Sequence, residues 1–73
     1  MSYHKLKLKQ DIINTLGRAI EPLPISVVMH DVMNEGFKSQ RVYTDDEILE
    51  TFAELLELGF VIENSDKTYE WRK

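Results

Sequence analysis

Seventy-three residues, 42% hydrophobic and 30% charged, bound the chain to one small domain spanning 1–73 and exclude a disordered or collagen-like polymer. The absence of cysteine removes disulfides and thiolate metal sites. No apolar run nears the roughly 18 residues of a membrane span and no signal-peptide core stands at the start, so a cytoplasmic protein without membrane contact is expected. The net charge of −4 is unevenly spread: residues 1–20 hold four cations against one acid, whereas residues 45–73 hold nine acids against three cations.

In chain order, the first apolar period runs from about Leu8 to Ile20. At 100° per residue Leu8, Ile12, Ile13, Leu16, Ala19 and Ile20 share one side, with Gln10, Asp11, Asn14 and Arg18 opposite. Pro22 and Pro24 end it. Ahead of it, Lys5, Lys7 and Lys9 oppose the dipole of a helix N-terminus, so residues 1–7 read as a loosely ordered basic arm.

A second helix is expected over about 25–35, entered through Pro24 or capped by Ser26, with Ile25, Val28, Met29, Val32 and Met33 buried and Gly36 as its C′ stop. The third has the clearest start. Thr44-Asp45-Asp46-Glu47 is a capping box, Tyr43 and Ile48 occupy the positions of a hydrophobic staple, and Gly59 closes the helix after Leu58. Phe60–Glu63 and Thr68–Arg72, separated by the four residues 64–67, then read as a β-hairpin pairing Ile62 with Tyr69 and Phe60 with Trp71 on its inward face.

The run Leu55-Leu56-Glu57-Leu58-Gly59-Phe60-Val61-Ile62-Glu63 and the entry Pro24-Ile25-Ser26 resemble the winged-helix family, a helix-turn-helix variant with a β-wing. The resemblance covers nearly the whole chain and implies an α+β fold of three helices with a C-terminal two-stranded β-hairpin wing. It departs from the family pattern in two places. The stretch from Gly36 to Thr44 is long for a helix-turn-helix, and Val42 and Tyr43 there suggest a short extended segment against the hairpin. In DNA-binding members of the family the third helix presents polar or basic side chains to the major groove. Here its outward arc is Asp46, Glu47, Glu50, Ala53, Glu54 and Glu57, and no Lys or Arg lies on it.

That charge map frames two functions. The first is a non-catalytic module in a regulatory context that binds a basic protein through Glu47, Glu50, Glu54 and Glu57. The alternative is a small DNA-binding transcription regulator using Lys5, Lys7, Lys9, Arg18, Lys67, Arg72 and Lys73 against phosphates. Each set also has a plain reading, a solvated acidic face and a frayed basic terminus respectively. Dimerisation through the first helix is compatible with both functions. His4 and His30 read as solvated surface residues, and Phe52, Phe60, Tyr69 and Trp71 as inward core rather than a base-stacking platform. No serine has a visible base, no Gly-rich phosphate loop occurs, and no ligand spacing points to a metal, so neither an enzyme nor a cofactor is expected.

Overall fold

The computed structural model describes residues 2–72. Helix α1 spans Tyr3–Arg18, strand β1 Leu23–Pro24, helix α2 Ile25–Lys38, helix α3 Asp45–Glu57, and strands β2 and β3 Val61–Glu63 and Thr68–Trp71. Three helices thus pack with one antiparallel sheet of strand order β1-β3-β2. The core gathers Leu8, Ile12 and Leu16 of α1, Val28 and Val32 of α2, Ile48, Phe52 and Leu55 of α3, and Tyr43 and Val61.

The basic lead-in is helical rather than loosely ordered. Ser2 caps α1 by accepting from the Lys5 backbone N–H at 3.2 Å. The dipole penalty of the three lysines is offset by carboxylates facing them, described below. At the other end α1 stops at Arg18, because Pro22 disfavours helical geometry at Glu21 and the chain must turn into β1. Ile20, expected inward, is therefore fully exposed.

Strand β1 makes the sheet three-stranded, where a two-stranded hairpin was expected. Leu23 pairs with Tyr69 and Pro24 with Thr68. Pro24 is tolerated because β1 is an edge strand that does not need its missing N–H. The extended segment expected at Val42 and Tyr43 does not form; β1 holds that flank of β3 instead.

Helix α2 enters through Pro24 and buries Val28 and Val32 as expected, but continues past Gly36 to Lys38. Its stop is a Schellman motif with Gln40 at φ 58° as C′, in which Arg41 N–H donates to the Gly36 carbonyl and Gln40 N–H to that of Phe37. Gly36 serves packing: a Cβ there would lie 2.8 Å from the Tyr43 ring. Helix α3 begins with the complete Thr44/Glu47 capping box. It ends in a second Schellman motif, with Gly59 at φ 84° and the N–H groups of Gly59 and Phe60 donating to the Leu56 and Leu55 carbonyls.

The hairpin is slipped by one residue from the expected register: Val61 faces Trp71, Ile62 faces Glu70 and Glu63 faces Tyr69. Asn64 and Thr68 close the ladder through a 2.8 Å bond, leaving a loop of residues 65–67 with Lys67 at φ 64°. Asp66 fixes this loop by accepting from both the N–H and the hydroxyl of Thr68. A one-residue slip exchanges the faces of a strand. Val61 is consequently buried at 3% exposure, while Phe60 and Ile62, expected inward, stand 48% and 38% exposed.

Candidate functional site

Helix α3 projects its acidic row between α1 and solvent, and the two margins of the row differ. Glu47 Oε1 accepts the Thr44 N–H at 2.9 Å, closing the capping box, and Oε2 accepts from His4 Nε2 at 2.9 Å. The Thr44 N–H, with His4 behind it, holds the Glu47 carboxyl below its ordinary range. Glu54 Oε1 accepts from Lys5 Nζ at 2.6 Å, and Oε2 lies 3.9 Å from Lys9 Nζ. The Lys5 bond lowers the Glu54 pKa and raises that of Lys5.

Glu50 and Glu57 remain exposed, with no described cation within 4.0 Å. Asp46, Leu49 and Ala53 are exposed beside them. The four glutamates named from the sequence therefore divide into two engaged by α1 and two open to solvent. His4, read from the sequence as a solvated residue, is half-buried in the Glu47 contact, its ring 5.3 Å from that of Tyr43.

The cations named for nucleic acid are mostly matched within the chain. Lys5 and Lys9 meet Glu54, Lys7 lies 3.9 Å from Asp11, Arg18 donates to Glu35 at 2.7 Å, and Lys67 donates to Glu63 at 3.2 Å. Arg72 has no described carboxylate within 4.0 Å, and Lys73 lies outside the described residues. A phosphate would have to displace a carboxylate at five of these positions, which lowers the counterion release that drives such binding.

Asp11 departs furthest from the sequence reading. Expected on the solvent side of α1, it is buried and accepts the Tyr43 hydroxyl at 2.6 Å. Burial, and then this bond to Asp11, push the tyrosine hydroxyl above its ordinary range. The signal in the sequence was slight: an acid one turn beyond Lys7 on a helix whose other charges are basic.

A surface cavity of about 410 Å³ lies where the end of α1 meets α2, lined in part by Thr15, Arg18, Asp31 and Glu35. Thr15 Oγ1, buried in its wall, has no hydrogen-bond partner among the described residues. Arg18 and Lys38 both pair with Glu35 there, and Glu21 and Asp31 complete a lining of mixed sign. Among the described residues no three His, Cys, Asp or Glu side chains converge on one point, and no helix is long and apolar enough to cross a membrane.

Comparison of the chain with protein-family models, with curated proteins and with solved structures finds no match.

Proposed function

We propose that the chain is a non-catalytic winged-helix module that binds a basic protein partner through the open arc of α3. The element order α1-β1-α2-α3-β2-β3, with the hairpin leaving α3 at Gly59, supports the architecture. The observation that carries the function is the composition of the α3 arc: Asp46, Glu50 and Glu57 stand exposed, and no cation lies on the helix to offset them. Such a face repels a polyanion and attracts a polycation. The reading narrows the interface from the four glutamates to Glu50 and Glu57 with Asp46, since Glu47 and Glu54 are engaged by α1.

The test is a titration of the isotope-labelled domain, at low and at physiological salt, with poly-lysine and separately with a duplex DNA, following backbone amide shifts. Poly-lysine is expected to shift residues 46–57, and the duplex to leave them unmoved. Submicromolar duplex binding at physiological salt, centred on α1 or α3, would replace this reading with the DNA-binding one.

A further inference from the structure

The open arc of α3 has an order across it that charge alone does not describe. At 100° per residue, Leu49 and Ala53 lie along one margin, Asp46, Glu50 and Glu57 form the crest, and Glu54 and Glu47 lie along the other margin, against α1. Leu49 is 44% exposed and Ala53 is also exposed. An apolar strip thus runs parallel to an unpaired acidic strip. The small side chain of Ala53 allows a second helix to approach to the usual 8–10 Å between axes.

The chain already contains one solution to this geometry. Helix α1 lies against the far margin of α3, burying Leu8 and Ile12 while Lys5 and Lys9, one turn apart, reach Glu54. It is a basic amphipathic helix seated beside α3. The opposite margin has the same ingredients, apolar contact and carboxylates, but no helix among the described residues covers it.

We infer that this margin seats one amphipathic basic helix of a partner protein, its apolar face on Leu49 and Ala53 and its cations over Asp46, Glu50 and Glu57. The inference rests on the binding function proposed above and specifies the partner's shape and charge pattern. Glu50 follows Asp46 by four residues and precedes Glu57 by seven, about 6 and 10 Å along the axis, so cations at those spacings on a helix reach all three. A second copy of this chain is a poor occupant. Of its described cations only Arg41 and Arg72 lack a carboxylate within 4.0 Å, and they stand on a loop and at the hairpin end rather than on one helix.

The experiment is selection from a displayed library of random peptides about as long as α3 or slightly longer. Selection uses the full chain alone, and the enriched peptides are then measured on the double variant Glu50→Lys, Glu57→Lys, whose folding is verified by circular dichroism. Enriched peptides are expected to carry Lys or Arg four and seven residues apart, with apolar residues three or four positions away. They should become helical on binding and lose at least about ten-fold in affinity on the double variant and on Ala53→Gln, as buried contacts do when truncated or blocked. Basic peptides without apolar periodicity, bound equally by Ala53→Gln but not by the double variant, would overturn the helix inference and leave the basic-partner function standing. Enrichment of peptides indifferent to the charge reversal would overturn both.

Discussion

Lys5 of α1 donates to Glu54 of α3 at 2.6 Å, joining the most basic and the most acidic segments of the chain. The contact makes the two rows, which the sequence presents as rival binding surfaces, partly complementary to each other.

It also separates two charge reversals that local helix energetics treats alike. Glu50 and Glu54 both sit among like-charged neighbours three and four residues away, so replacing either with lysine should relieve repulsion. Tertiary contacts change that expectation for Glu54. Glu54→Lys loses the Lys5 bond and places a third cation beside Lys5 and Lys9, so its midpoint in a urea melt should fall. Glu50→Lys should be near neutral, since relief along α3 opposes the lost attraction to Lys5. Equal midpoints for the two variants would show that the α1–α3 ion pairs contribute nothing to stability.

The Asp11–Tyr43 bond is buried, and so differs from the surface pairs. Tyr43→Phe removes the donor and leaves a buried carboxylate without it, with only Lys7 at 3.9 Å in partial support. A loss of about 1–3 kcal/mol is expected by denaturant unfolding. Adding Asp11→Ala to Tyr43→Phe should recover part of that loss, because both polar partners are then gone.

Two glycines in helices should respond oppositely to alanine. Gly36→Ala brings a Cβ within 2.8 Å of the Tyr43 ring and 3.0 Å of the Arg41 carbonyl oxygen. Overpacking there should cost about 1–3 kcal/mol and outweigh alanine's helix preference. Gly17→Ala meets no atom within 4 Å, so it should gain up to about 1 kcal/mol. Thermal melts of the two variants are the check.

Acid should unfold the domain through carboxylates that the fold keeps ionised. Glu35, Glu47 and Glu54 all have lowered pKa values, Glu35 chiefly through its bond from Arg18. Because the unfolded chain binds protons first, their contribution is present above the ordinary glutamate value of about 4.5 and is lost as pH falls through the lowered folded values. The melting temperature should therefore be flat from neutral pH to about 5 and fall below it. Glu54→Gln should flatten part of that slope, and an unchanged slope would remove Glu54 from the account.

What the sequence determined by itself lies within a few turns of chain. The α3 capping box, its Gly59 exit, the buried stripe of α2 and the presence of a hairpin all depend on side chains and backbone groups no more than about ten residues apart. The acidic arc of α3 was legible for the same reason, since helical spacing alone puts its members on one side.

The tertiary structure decided whatever needed a distant partner. Strand β1 has only two residues, too few for any period, and exists because β3 offers it an edge. The hairpin register depended on whether Asn64 joined the loop or the ladder, and burying Val61 against the core accompanies the ladder choice. Helix α1 extends through Lys9, Lys7 and Lys5 because Glu54 and Asp11 face them from other turns and elements, and Asp11 is buried because Tyr43, 32 residues away, donates to it. Charge counted along the chain sums what each segment carries. Which of those charges remain to meet a partner depends on ion pairs that form only when the helices pack, and here packing leaves Glu50 and Glu57 open while it engages Glu47 and Glu54.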